Sequence, residues 1–150
     1  DIANEYHLFR TVEWADKMGP FLKSKDPYNH LISVHGSTSF PFRKSPWVDV
    51  VMYQSWDECG GNEFMLNARR LQAETGRPLP TINEEYGYEG HYSVWGCGAT
   101  ASKERPDGRS ALNRSQLAWE ICMAGGYQTT GESAEFGTGA GDDTGGGWIN

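Results

Sequence analysis

The stretch Pro80-Thr81-Ile82-Asn83-Glu84-Glu85-Tyr86-Gly87 decides how this chain is read. A short run suited to a buried strand passes directly into two carboxylates, and a glycine breaks the chain. The opening residues repeat the arrangement: Asp1-Ile2-Ala3 reads as the end of a strand already under way, and it runs into Asn4-Glu5. Other apolar runs end in the same way. His30 to His35 is closed by Gly36. Trp47 to Gln54 is β-branched and apolar, and continues into Ser55-Trp56. Tyr127 to Thr130 meets Gly131-Glu132. A solvated loop is polar everywhere; a carboxylate placed immediately after a buried strand, twice in one chain, is a more specific pattern.

Working outward, helical segments separate these runs. Thr11 to Lys25 places Val12, Ala15, Met18 and Leu22 near one face, with Pro20 as a kink or a new start and Asp26-Pro27 as the stop. Asn62 is read as the cap of a helix to about Thr75, with Phe64, Ala68 and Leu71 inward and Gly76 ending it. Ser110 to Met123 is a third helix, with Ala111, Ala118, Ile121 and Cys122 inward. Gly36 to Ser45 reads as a polar loop, and Gly87 to Gly108 as a long one. Trp14 and Trp119 lie on helices and are expected in the core. Strand and helix alternating in order, with apolar strands, predicts parallel βα units. In a parallel barrel the βα loops gather at the C-terminal ends of the strands, which is where the polar residues fall here.

Composition excludes several classes. With 150 residues, one domain is expected; 20 acidic against 13 basic side chains give a charge of -7, which disfavours a nucleic-acid partner. No apolar stretch approaches a membrane span. Aromatic residues reach 13%, which suits ligands that stack on rings. No GxGxxG or GxxxxGK[ST] is present, and the glycine run from Gly139 to Gly147 follows no helix start, so phosphate cradles are lacking. Cys59, Cys97 and Cys122 form no CxxC pair. His7, His30 and His91 lack ligand spacing, and Asp142-Asp143 lacks the twelve-residue calcium pattern, so no metal and no cofactor are expected.

Two carboxylates at one mouth suffice to cleave a glycosidic bond: one donates a proton to the leaving oxygen while the other stays ionised to attack or to activate water. Asn4, beside Glu5, can hold a sugar hydroxyl. Tyr86 or Tyr88 can donate to the nucleophile. Trp47, Trp56, Trp95 and Trp148, in or beside loops, are candidate platforms for a sugar ring. His35 and Gln54, at strand ends, complete the candidate substrate-binding set.

The pairing of Asn4-Glu5 with the later Glu85-Tyr86-Gly87 resembles the signature of the clan of retaining glycoside hydrolases built on (β/α)8 barrels. More narrowly, Asn83 to Gly90, the Trp119-Glu120 helix ending in Ala124-Gly125-Gly126, and the closing Gly146-Gly147-Trp148-Ile149-Asn150 resemble the barrel family labelled DUF4038, related to apiosidase-type hydrolases of plant polysaccharides. The resemblance implies that residues 1–150 are a partial catalytic domain. It would be the C-terminal half of a TIM barrel, cut at both ends, from the end of strand four through strand five at Leu31, six at Val48, seven at Pro80 and eight at Tyr127. It implies Glu5 as acid/base and Glu85 as nucleophile, a carbohydrate substrate, and a secreted or periplasmic location. Members of the narrower family can carry Asp in place of the Glu after strand four, so the role of Glu5 rests on the wider clan. Strand alternation turns Glu84 and Glu85 to opposite faces, so only one is expected in the mouth; the Glu-Tyr-Gly motif favours Glu85, with Glu84 as the alternative.

Two rival readings remain at the level of sequence. One is a catalytically silent carbohydrate-binding barrel that keeps the tryptophans. The other is a barrel acting on phosphate esters, which would need a basic anion site near the last two strands, where only glycines and Glu132 stand.

Overall fold

The computed structural model describes residues 1–56, 60–87 and 110–129. In chain order the elements are α1 (Tyr6–Phe9), α2 (Val12–Lys25), β1 (Val51–Tyr53), α3 (Asn62–Ala73), β2 (Thr81–Asn83), α4 (Ala111–Met123) and β3 (Tyr127–Gln128). The three strands form one parallel sheet in the order β1-β2-β3, with Val51 opposite Thr81 and Ile82 opposite Tyr127. Helix α3 connects the first two strands and α4 leads into the third, as parallel neighbours require. Among the described residues, no helix is long and apolar enough to cross a membrane.

Helix α2 starts where the Thr11 hydroxyl accepts the Trp14 N–H at 3.2 Å, and Lys23 and Lys25 in its last turn oppose the negative end of its dipole. It runs through Pro20 without ending, and Pro20 is exposed. Ala15 and Gly19 form its buried side, with Trp14 and Leu22 packed against the same core. Gly19 lies so close to Trp47 that a Cβ there would sit 2.1 Å from the indole Cδ2. Gly19→Ala is therefore expected to destabilise the fold by about 1–2 kcal/mol: overpacking costs up to about 3, offset by alanine's better helix propensity of about 1. Urea denaturation checks this, and an unchanged or raised midpoint would contradict the packing described.

Several elements differ from the sequence reading. The run His30–His35 is extended but makes no ladder. The Ile2 N–H donates to the Ser33 carbonyl at 2.9 Å and the His35 N–H to the Ala3 carbonyl at 3.2 Å, while on the other side the Asp49 N–H reaches Ile32 at 2.9 Å. The run thus lies between the chain start and the approach to β1, joined to each by isolated bonds. The segment from Gly36 to Ser45 is no polar loop, since Phe40 and Phe42 are fully buried and pack edge-on against one another. Trp47 is core and not a sugar platform: its ring lies under Gly19 and its indole N–H donates to Asp16 at 2.7 Å, which satisfies its polar atom away from solvent.

The helix faces are rotated from the expected ones. Asn62 is the first residue of α3, and Gly61 holds the cap position; the Glu120 carboxylate of α4 accepts the Asn62 N–H at 3.4 Å. The inward face of α3 is Met65, Ala68 and Gln72, with Phe64 half-buried. On α4 the inward residues are Arg114, Leu117 and Ile121. Trp119, about 200° around the helix from Leu117, is 70% exposed, and Cys122 is also exposed, both contrary to expectation. The polar Arg114 and Gln72 take inward places that an apolar count cannot find. Cys59 and Cys97 lie outside the described residues.

Candidate active site at the strand ends

The site grows from the ends of three extended segments. After β1, the Gln54 N–H is held by the Ser37 carbonyl at 3.1 Å. After β2, the Glu84 N–H donates to the Tyr53 carbonyl at 2.9 Å, which seats Glu84 and Glu85 beside Gln54. Asn83 locks this junction. Its amide donates to the Ser55 carbonyl at 2.8 Å and the Gly60 carbonyl at 3.2 Å, and its side-chain oxygen accepts the Ser55 N–H at 3.0 Å. A fully buried amide with three such partners fixes the spacing of the two strand ends.

Glu5 reaches the same place from the other end of the chain. It adopts φ 41°, ψ 50°, a left-handed conformation that costs a residue with a Cβ about 1–3 kcal/mol. The surroundings enforce it: the Tyr6 N–H donates to the His35 carbonyl at 3.2 Å and the Leu8 N–H to the Glu5 carbonyl at 2.9 Å. Strain held at a carboxylate facing a polar cluster marks the position as more than a surface turn.

The side chains converge. Gln54 Nε2 donates to Glu85 Oε2 at 2.7 Å and to Glu5 Oε1 at 3.2 Å. The two carboxyl groups, eighty residues apart in the chain, are therefore within about 6 Å of each other by the reach of one amide nitrogen. His35 forms the floor. Its Nδ1 bonds the Asn4 side-chain oxygen at 2.6 Å and lies 3.4 Å from Glu84 Oε1, while Nε2 lies 3.8 Å from Glu85 Oε2. Both glutamates thus lie near one histidine, on different ring nitrogens, while only Glu85 shares Gln54 with Glu5. The strand ends at Asn83 and the chain bends at Glu84, so the two-residue alternation no longer applies there.

Electrostatics divide these groups. Burial pushes the Glu84 carboxyl up to about 7, and the neighbouring Glu85 charge adds to the effect. Burial also holds His35 below the usual imidazole range, against the pull of Glu85 and Glu5 in the opposite direction. The cluster therefore carries one carboxyl that is readily protonated near neutrality beside an imidazole that resists charging.

Of the other sequence candidates, Trp56 follows Gln54 and is half-buried. Tyr86, expected to face substrate, is 2% exposed and belongs to the apolar cluster of Met65, Leu117, Ile121 and Ala124. Its carbonyl accepts from the buried guanidinium of Arg114 at 2.7 Å, and that guanidinium lies over its ring. Tyr86 is thus a packing residue that anchors the segment after Glu85. Trp95, Tyr88 and Trp148 lie outside the described residues. No group of three or more metal-ligating side chains occurs among the described residues. Sequence reasoning missed Asn83 and Arg114. A polar residue at an inward strand position gave a signal for Asn83; for Arg114 the helix pattern gave none.

Comparison with known proteins agrees with this architecture. The model of the apiosidase-like catalytic domain matches residues 1–130. A crystal structure of a candidate glycoside hydrolase from Bacteroides vulgatus ATCC 8482 superposes with a TM-score of 0.58 at 25% identity, over 86% of this chain. The chain spans 23% of the length of that structure. No curated protein matches it. With the match to the family's catalytic domain extending over most of its length, and with a mixed helix and strand fold around a small parallel sheet, the chain belongs to the apiosidase-like family.

Proposed function

We propose that this chain is the C-terminal half of a (β/α)8-barrel glycoside hydrolase, from the end of strand four through strand eight, and that it cleaves O-glycosidic bonds with retention of configuration. Residues 1–150 are then a partial catalytic domain. The parallel sheet, whose spatial order follows the chain order with helices in the connections, supports the barrel reading. The observation that carries the chemistry is the meeting of Glu5 and Glu85 on the amide of Gln54. A spacing of about 5–5.5 Å between carboxyl groups belongs to retaining enzymes, while about 6.5–9.5 Å leaves room for the water of inverting ones.

In this reading the Glu85 carboxylate attacks the anomeric carbon and forms a glycosyl ester as the bond to the leaving oxygen breaks. Glu5 gives its proton to that oxygen. Glu5 then takes a proton from water, whose oxygen attacks the anomeric carbon and releases Glu85 as carboxylate. The reaction balances with water alone. Asn4, His35 and Gln54 supply polar groups for sugar hydroxyls, Trp56 supplies a ring face, and Trp95, outside the described residues, is a further candidate. The substrate is a carbohydrate, and an apioside is the first to assay, because the family's name points to it.

The test is methanol trapping. The complete protein is incubated with a 4-nitrophenyl apioside and methanol, and the methyl glycoside is read by proton NMR. Retention predicts the anomeric configuration of the substrate. A methyl glycoside of opposite configuration, or water as the only acceptor with an inverted first product, overturns the two-carboxylate double displacement.

A further inference from the structure

Gln54 stands between the two carboxyl groups, and its geometry says more than proximity. Carboxylate oxygens only accept, so the amide must present its nitrogen to them. That nitrogen carries two hydrogens about 120° apart in one plane. Contacts of 2.7 Å to Glu85 and 3.2 Å to Glu5 hold the two accepting oxygens no more than about 6 Å apart. A planar amide is a ruler of nearly fixed span, whereas a hydroxyl or an ammonium in the same place would fix no angle between its two acceptors.

The two contacts are also unequal. The one to Glu85 is the shorter, and a hydrogen bond donated to a carboxylate favours its ionised form. The backbone that carries this side chain is held still, because the main-chain N–H of Gln54 is bonded to the Ser37 carbonyl and the next residue, Ser55, is tied to Asn83 on both its N–H and its carbonyl.

We propose that Gln54 is a positioning residue that spaces Glu5 from Glu85 and holds Glu85 ionised in the free protein by donating one amide hydrogen to each. This rests on the hydrolase reading for its meaning in catalysis, but not for its test. Among the described residues, the charged and titratable groups facing Glu85 include Glu5 through Gln54, Glu84 next in sequence, and His35 at 3.8 Å.

The experiment is carboxyl-carbon NMR titration of glutamate-labelled complete protein, comparing the parent with Gln54→Met, which keeps the bulk and loses both donors, and Gln54→Glu, which keeps the shape. Glu120, remote from the cluster, serves as the reference signal. In Gln54→Met the Glu85 midpoint is expected to rise by about one pH unit, the scale of one lost charge-assisted bond. In Gln54→Glu it rises further, because a carboxyl is added to those of Glu5, Glu84 and Glu85. The acidic limb of kcat/KM on a 4-nitrophenyl apioside moves up by the same amount, with KM changing less than kcat. Glu85 midpoints unchanged in both variants, each shown folded by its unmoved Glu120 signal, would overturn the proposal while leaving the hydrolase reading intact. Shifted midpoints in a protein that hydrolyses no glycoside would uphold the bridge and remove the hydrolase reading.

Discussion

Glu85→Gln is expected to lower kcat/KM of the complete protein on a 4-nitrophenyl apioside by at least about 10³-fold, since in the proposed mechanism the substitution removes the attacking oxygen and leaves the remaining groups in place. The amide keeps the size of the carboxylate, and the residue's side chain is 17% exposed, so the fold is expected to persist. Glu5→Gln gives a different signature. Loss of the proton donor costs about 10²–10⁴-fold on a substrate with a poor leaving group. It costs far less on a 4-nitrophenyl glycoside, whose leaving group needs no proton. Steady-state kinetics on paired substrates therefore separates the two roles without structural work. If Glu84→Gln were the inactive variant and Glu85→Gln retained turnover, the attacking group would be reassigned by one residue, which the shared contact with His35 makes a pointed comparison. A purely carbohydrate-binding protein would show no turnover in any form and would bind sugar equally well as parent and as Glu85→Gln.

The second large effect concerns pH and stability. Glu84 titrates near 7 in the folded protein because burial disfavours its charge and the Glu85 carboxylate repels it. In the unfolded chain its value returns to the ordinary one of 4.5. Between those two values the folded state binds more protons than the unfolded state, so stability falls as pH rises through that window and levels off above it. The whole span corresponds to at most about 3 kcal/mol. His35 acts in the opposite direction: its folded value is lowered, so the unfolded state binds the extra proton and stability rises with pH until the imidazole is neutral in both states. Comparison of the parent with Glu84→Gln reads the Glu84 contribution together with its coupling to His35, 3.4 Å away. The variant is expected to be more stable than the parent above pH 7 by about 1–3 kcal/mol, with the gain vanishing by pH 4. Urea denaturation at a series of pH values measures this. A difference independent of pH would mean that Glu84 carries no buried charge penalty.

The Glu84 result also bears on how the proposed hydrolase site would tolerate three carboxyl groups in one place. Glu5 and Glu85 meet on Gln54, and Glu84 and Glu85 both lie beside His35. If all three were ionised, repulsion would act on the pair whose spacing matters. A proton held by Glu84 near neutrality removes one of those charges and leaves the imidazole neutral beside it. The arrangement separates the roles of adjacent residues by burial, much as two carboxylates in unlike surroundings take unlike tasks.

Much of this molecule can be read from its residues alone, because the information is local. Apolar runs ending in Gln54 and Glu84-Glu85 mark where β1 and β2 stop, while those ending in Asn4-Glu5 and His35 form no strand, and helical spacing between the runs predicts parallel units; both signals follow from periods of two and 3.6 residues along a single segment. The same periods fail where a segment leaves its regular geometry or where a neighbour decides. Glu84 and Glu85 both lie near His35 because the strand ends one residue too early for alternation to part them. Phe40, Phe42 and Trp47 are core because α2 and the approach to β1 close over them. Trp119 is exposed because the packed side of α4 is set by the sheet and by Arg114. Above all, the convergence of Glu5 and Glu85 on one amide depends on the register of β1 with β2 and on the strained turn at Glu5. No pattern within one segment encodes these contacts, since they are fixed by the packing of segments far apart in the chain.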